Sequence, residues 1–142
     1  MCIRDSANTQ LRGTLSANII IHPKTLAALG SRFDELLQDL RYGAIGVNVW
    51  AAYSFLLGTA TWGAFPGHTL EDVQSGRGVV HNAFMFDKPE RTVVRGPFRA
   101  FPKPPWFVTH RKAHELGPKL TAMEYRPSLL KLPGILLTAM AG

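Results

Sequence analysis

Residues 13–22 read Gly-Thr-Leu-Ser-Ala-Asn-Ile-Ile-Ile-His, and residues 40–50 read Leu-Arg-Tyr-Gly-Ala-Ile-Gly-Val-Asn-Val-Trp. The three consecutive β-branched isoleucines of the first run suit a buried sheet, which predicts a strand over residues 15–22. The second run predicts another strand over residues 44–50. Between them, apolar residues recur at spacings of three and four and predict one amphipathic helix over residues 24–41. A helix between two strands requires a crossover connection, so we expect parallel strands and an α/β fold class.

The segment after the second strand, residues 51–69, is a long connection rich in aromatic residues and glycine. Ligands of open α/β sheets bind beyond the carboxyl ends of the strands, so a functional site is expected here, although packing beneath a partner segment explains its apolar character equally well. A short helix is then predicted over residues 70–74, with Thr69 as its N-cap. Two strands follow at residues 79–86 and 90–98, and they either pair with each other or reach another chain.

The last third of the chain combines an irregular linker with helices. Three prolines in residues 101–106 exclude regular structure there. A helix is predicted over residues 109–115, resuming after Gly117-Pro118 up to Tyr125. Residues 128–141 predict an apolar helix that is interrupted at Pro133-Gly134.

The composition indicates a folded chain of about one domain. Of 142 residues, 46% are hydrophobic and 18% are charged, a balance too apolar for a disordered protein. No apolar run approaches the roughly 18 residues that a membrane-spanning helix needs. The single cysteine, Cys2, excludes an internal disulfide framework and any multi-cysteine metal site. We therefore expect a reducing compartment such as the cytoplasm.

The net charge of +6 is unevenly distributed. Residues 1–87 hold six basic and seven acidic side chains, whereas residues 88–142 hold ten basic and three acidic ones. This basic tail is either a solvated face or a surface for an anionic partner, and an anionic membrane surface contacted together with the apolar residues 128–141 is the alternative function. Aromatic and basic residues interleave around residues 98–106, but no recognised motif supports them, so no nucleic-acid partner is predicted.

The opening residues, Met1–Ser6, follow neither a signal-peptide pattern nor a helical or strand period. They resemble a translated sequencing adapter of the kind that precedes truncated metagenomic reading frames. We therefore expect residues 1–10 to be a non-native or disordered start. Residues 11–98 are expected to be a partial α/β region, and residues 99–142 a proline-rich linker with a basic helical extension.

No cluster of residues predicts catalysis or metal binding. His110 and His114 have the spacing that places two imidazoles on one helix face, but the glutamate of zinc proteases is missing and the two basic residues between them would repel a cation. His68 is expected to make a turn or capping contact. Asn48 lies in an apolar strand and must find hydrogen-bond partners, or else cost roughly 1–3 kcal/mol, so it is expected to hold the loop that follows.

Residues 13–23, 40–50 and 61–65 resemble, in motif and in order, the C-terminal part of the aldehyde dehydrogenase superfamily, most closely a divergent bacterial branch. Gly43 and Asn48 fall on the glycine-to-Val-Asn strand of that family near the active-site mouth, and Gly63 falls on its aromatic–Gly–Gly–aromatic loop. The resemblance spans roughly residues 13–95. It departs from the family pattern in the loop, where Thr61 replaces a proline, Ala64 the second glycine, and Pro66 a lysine.

The resemblance implies a C-terminal fragment of an oxidoreductase that converts an aldehyde to a carboxylic acid with NAD or NADP. In that family the cofactor binds an N-terminal Rossmann-like domain, and a cysteine nucleophile and a glutamate base carry the reaction. All of these would lie upstream of Gly13, so this chain is expected to be inactive alone, with no catalytic and no cofactor-binding residue. A homo-oligomer through residues 79–98 is also implied.

Two groups of site residues follow from this resemblance. The first is an apolar aldehyde channel, for which a purely structural cluster is the alternative; its candidates are Trp50, Tyr53, Phe55, Trp62 and Phe65. The second would position the loop, and its candidates are Gly43, Asn48, Gly63 and His68.

Overall fold

The computed structural model describes residues 3–142, so Cys2 lies outside the described residues. The chain divides into two compact units, Met1–Phe98 and Arg99–Gly142, and the division falls where the proline-rich linker begins.

A three-stranded parallel sheet forms the centre of the first unit. Strand β1 (Ser16–Ile19) pairs with β2 (Ala44–Val47), and β2 pairs on its other side with β5 (Thr92–Arg95). The predicted parallel crossover is therefore confirmed, and the chain is a mixed α/β protein with a small parallel sheet. All four residues of β2 are buried, whereas exposure alternates along β1 and β5, as expected for a central strand between two edge strands.

The predicted single helix over residues 24–41 is in fact two helices, α2 (Pro23–Leu29) and α3 (Ser31–Asp39). Gly30 separates them with a φ of 52° and a ψ of −132°, a backbone conformation that residues other than glycine rarely adopt. The apolar spacing continues across the break, which is why periodicity alone predicts one helix.

The core of this unit lies between α3 and the sheet. Phe33 and Leu37 are four residues apart on α3 and share one face, which packs with Ile45 and Val47 of β2. Burying a side chain of this size contributes about 1.5–3 kcal/mol, so this cluster is the main source of stability in the unit. Three further residues complete the cluster: Ile21, Leu40 and Tyr42.

The start of the chain is not irregular, because Ile3–Thr9 form helix α1. The side chain of Asn8 donates to the Asp39 carbonyl oxygen at 2.7 Å and accepts from the Arg41 amide at 2.9 Å. The Tyr42 hydroxyl donates to the Ala7 carbonyl oxygen at 3.1 Å. The expectation of a disordered start is therefore wrong for the described residues, while the adapter resemblance stays a prediction.

The elements predicted between residues 70 and 98 are shorter than expected. Strand β4 (Val79–Val80) pairs antiparallel with β3 (Trp62–Gly63), so the two predicted strands do not pair with each other. The predicted helix over residues 70–74 is absent. Thr69 Oγ1 does accept the hydrogen bond from the Asp72 amide, at 3.2 Å, but Gln74 then takes a φ of 45° and ends the turn. One turn alone does not repay the cost of nucleating a helix.

In the second unit, helix α5 (Ala113–Tyr125) begins later than predicted and continues through Gly117-Pro118. Pro118 lacks an amide hydrogen, so the helix loses the one bond to the carbonyl four residues earlier but is not broken. Near its start, the Lys112 ammonium donates to the Glu115 carboxylate and holds the pKa of that group below its usual value.

A 3₁₀ turn (Leu129–Lys131) leads directly into helix α6 (Leu132–Met140). Pro133 lies in the first turn of α6, where amide hydrogens have no partner within the helix, so the predicted interruption is instead a helix start. The Lys131 ammonium donates to two carbonyl oxygens at the end of α5, those of Ala122 at 2.8 Å and Arg126 at 2.7 Å. Among the described residues, no helix has the length and apolar character needed to cross a bilayer.

One arginine joins the end of α3 to the strand region. Arg91 Nη1 donates to the carbonyl oxygens of Leu37, Gln38 and Leu40 at 2.7, 2.6 and 2.7 Å. These carbonyls have no partner within the helix, and a cation there also interacts favourably with the helix dipole. The same guanidinium lies 5.0 Å from the centre of the Phe65 ring.

We expect Arg91→Gln to lower the free energy of unfolding by about 1–3 kcal/mol, because hydrogen bonds to a charged donor are lost where little water replaces them. Urea denaturation followed by circular dichroism measures this. Arg32→Gln is the matched control, since Arg32 is an exposed arginine on α3, the helix whose end Arg91 binds. Equal effects of the two substitutions would contradict the role assigned to Arg91.

Candidate functional site

Three segments of the first unit, residues 13–23, 40–50 and 61–65, meet at Thr14. Its carbonyl oxygen accepts hydrogen bonds from the amides of Gly43, at 2.9 Å, and Phe65, at 3.0 Å. Its amide donates to Ser75 Oγ at 2.8 Å, and its hydroxyl lies 2.7 Å from His68 Nε2. Both lone pairs of one backbone oxygen are thus used to join the amino ends of β1 and β2 to the loop that contains Phe65.

Two glycines allow the loop to lie directly against the sheet. A Cβ atom at Gly43 would be 1.8 Å from the Gly63 carbonyl oxygen and 2.7 Å from the Ala64 carbonyl carbon. A Cβ atom at Gly63 would in turn be 2.3 Å from the Gly78 carbonyl oxygen. Backbone contacts this close exclude any side chain at either position, so these glycines fix how the loop docks.

His68 makes a long-range contact with the segment that precedes β1. The Thr14 hydroxyl that it meets is 54 residues earlier in the chain. The His68 carbonyl oxygen also accepts from Arg77 Nε at 3.2 Å. Neither contact is a helix cap, because no helix follows.

Two asparagines tie the carboxyl ends of the strands together. Asn48 takes a φ of 57°, and its Oδ1 accepts from the Ile21 amide at 2.8 Å. The predicted need for a partner is met, but on the segment that leaves β1. The loop after β2 is held instead by Asn18, whose Oδ1 accepts from the Ala51 amide at 2.7 Å. The expectation that Asn48 holds the following loop is therefore wrong.

The five aromatic residues predicted to line a channel form separate contacts. Trp50 and Tyr53 meet edge to face with ring centres 6.5 Å apart. Phe55 meets Trp62 edge to face at 5.8 Å. Among the described residues, no ring contact links these two pairs, and Phe65 faces the Arg91 guanidinium instead of another ring.

The aromatic residues also lie at different ends of the sheet. Trp50 and Tyr53 follow the carboxyl end of β2, whereas the Phe65 amide is bonded at the amino end. A four-residue strand is roughly 13 Å long, so the connection runs along the sheet from one end to the other. Helix α4 (Tyr53–Leu56) contacts both β2 and β5 on the way. The described geometry is therefore a series of separate, partly exposed ring contacts along this connection, here called the apolar strip, with Trp50 65% exposed and Phe55 46% exposed.

A cavity of about 650 Å³ lies beside the Thr14 junction. Its volume is in the range of small-molecule sites, but such sites are mainly apolar and this lining is mainly polar. None of the predicted channel residues takes part in the lining, which consists of Arg12, Gly13, Asp72, Gln74 and Ser75.

The structure separates the two histidines that the sequence places on one helix face. His110 precedes α5 and is buried, with Nε2 3.1 Å from the Ala139 carbonyl oxygen. The side chain of His114 is 74% exposed on α5. Among residues 3–142, no three His, Cys, Asp or Glu side chains come together as metal ligands would.

Sequence reasoning missed Thr14, Asn18 and Arg91. Asn18 carries the same signal as Asn48, a polar amide in an apolar strand, and could have been found. Thr14 acts mainly through its backbone, and Arg91 through carbonyls more than 50 residues away, so neither has a local pattern.

No family model, no curated protein and no solved structure matches this chain.

We expect Gly43→Ala to lower the free energy of unfolding by about 1–3 kcal/mol or more, because the new methyl group collides with backbone that cannot move aside. Gly58→Ala is the matched control, since nothing lies within 4 Å of a Cβ atom there. Thermal and urea denaturation of both variants provide the measurement. A Gly43→Ala protein as stable as the control would show that the loop does not dock on this glycine.

Proposed function

We propose that this chain supplies substrate-mouth and oligomerisation elements of an NAD(P)-dependent aldehyde dehydrogenase-like oxidoreductase, which oxidises an aldehyde to a carboxylic acid. The observation that supports this most is the junction at Thr14. Two of the segments that resemble the family donate, through the Gly43 and Phe65 amides, to one carbonyl oxygen of the third segment. The pairing of β1 with β2 brings the first two segments together, and the bond from Phe65 adds the aromatic loop to them.

The proposal assigns the chemical step to residues outside this chain. The sequence between residues 3 and 142 contains no cysteine, so it offers no thiol for covalent attack on an aldehyde. What the chain does offer is an apolar strip, formed by side chains such as Trp50, Tyr53 and Phe55, which suits an aldehyde with a hydrocarbon group. In this proposal the strip is one wall of the substrate's route.

The described residues do not fit a dinucleotide cofactor. A pyrophosphate site needs a glycine-rich turn between a strand and the first turn of a helix. Gly76-Arg77-Gly78 is followed by strand β4, not by a helix. We therefore assign the binding of NAD or NADP to another part of the protein.

The test compares this chain with the product of the reading frame extended upstream, by following reduced nicotinamide with an aliphatic aldehyde. The extended product is expected to carry a cysteine and a glutamate in the family's setting and to oxidise the aldehyde. This chain alone is expected to show no such activity. In the extended product, Gly43→Ala is expected to lower kcat/KM about tenfold to a hundredfold, because misplacing a substrate wall by about 1 Å is costly.

Gly58→Ala, which meets no neighbour, serves as the control and should leave kcat/KM unchanged. An intact extended frame without those two residues would contradict the proposal. Turnover by this chain alone would contradict the assignment of the chemistry elsewhere.

The oligomerisation element in this proposal is β5. The Thr92 amide donates to the Gly43 carbonyl oxygen, just before β2, and the Gly96 amide donates to that of Val47 in β2, so the alternate amides of Val93 and Arg95 point away from β2. Among residues 3–142 no further strand pairs with this edge of the sheet, so it can accept a strand from a second copy of the chain.

We expect Val93→Pro to abolish concentration-dependent self-association while β5 stays paired with β2, because it removes only an outward amide. Analytical ultracentrifugation measures this. Val73→Pro, in an exposed loop, is the control. Self-association that survives Val93→Pro would place the contact elsewhere.

A further inference from the structure

Helix α6 exposes an apolar face opposite the one that it buries. Ile135 and Thr138 are buried in the second unit, where α6 packs against α5. The opposite side of α6 spans roughly 140° at 100° per residue. Its side chains, here called the outer face, are Leu132, Leu136, Leu137 and Met140, which are 37, 59, 70 and 55% exposed.

More apolar surface lies in the same unit. Leu129 and Leu130 immediately precede α6 and are 78 and 92% exposed. Trp106, which is 68% exposed, meets Phe107 edge to face in the segment before α5. Scattered exposed apolar residues are ordinary, but a continuous helix face together with exposed aromatic rings indicates a surface that is covered by a partner.

The charge of this unit indicates what that partner is. Residues 99–142 contain seven basic and two acidic side chains, a net +5, whereas residues 1–98 contain nine and eight, a net +1. All three arginines of the unit, Arg99, Arg111 and Arg126, are exposed. The Lys119 ammonium donates to Thr138 Oγ1 at 2.5 Å, on the buried side of α6.

We propose that the second unit docks on an anionic phospholipid bilayer, with the outer face of α6 in the boundary between head groups and acyl chains. Nine residues of helix are about 14 Å long, far less than the hydrocarbon core, so α6 lies in the plane of the interface. The leucine side chains of the outer face enter the apolar layer, and the exposed arginine side chains of the unit contact lipid phosphates.

Other partners fit less well. A second copy of the unit would place two surfaces of net charge +5 against each other, and they would repel. A nucleic acid would match the charge but leave the outer face of α6 in water. An anionic bilayer satisfies the apolar face and the charge together, and this holds whether or not the chain belongs to an oxidoreductase.

The test is co-sedimentation of the full chain with vesicles of phosphatidylcholine, with and without phosphatidylglycerol. Binding is expected only with the anionic lipid and should weaken as salt rises. The double variant Leu136→Gln/Leu137→Gln is expected to lower partitioning by at least about tenfold, because two leucines no longer leave water. Arg111→Gln is expected to lower it about fivefold, the effect of one cation near an anionic surface.

Leu70→Gln is the matched control, since Leu70 is 75% exposed in the first unit and should not affect partitioning. Circular dichroism of each variant verifies folding, which the exposed positions should leave intact. Equal binding to both vesicle types, no binding at low salt, or full binding by the double leucine variant would overturn the proposal. Preferential binding of a single-stranded or duplex oligonucleotide over vesicles would also overturn it. The same holds if the chain does not bind vesicles but self-associates in a way that the double leucine variant abolishes.

Discussion

The carbonyl oxygen of Thr14 is the point on which the arrangement of the first unit depends. It accepts the amides of Gly43 and Phe65 at the same time, and so joins the start of β1, the start of β2 and the aromatic loop. A backbone oxygen cannot be removed by substitution, and its two partners are also backbone groups. What sequence can control is whether the chains approach closely enough, which is why the absence of a side chain at Gly43 matters more than the identity of Thr14.

The aromatic connection is fastened at both ends of the sheet. Asn18 holds Ala51 at the carboxyl end, and the Thr14 carbonyl holds Phe65 at the amino end. Between these points α4 contacts the sheet, and Ser54 is fully buried with its hydroxyl bonded to the Ala51 carbonyl oxygen at 2.7 Å. A connection held in this way presents its aromatic side chains on a fixed backbone.

Hydrophobic spacing was sufficient to predict the crossover but not its details. Runs rich in β-branched residues around Ile19 and Ile45 indicate strands, although only the second run is fully buried. The break at Gly30 depends on one residue's torsion angles, and the course of α5 through Pro118 depends on the rest of the helix tolerating one lost bond. Spacing does not encode either. The site was less predictable still, because its contacts are backbone bonds across many residues.

The second unit shows how the size of a core limits what a sequence can stabilise alone. Its 44 residues bury few large side chains, chiefly Leu116 and Ile135. His110 is also buried, and its Nδ1 has no hydrogen-bond partner among the described residues, which is costly in an apolar setting. Units of this size usually require additional support beyond their own core. A surface that covers the outer face of α6 would provide it, so partner binding and the stability of this unit are expected to be linked.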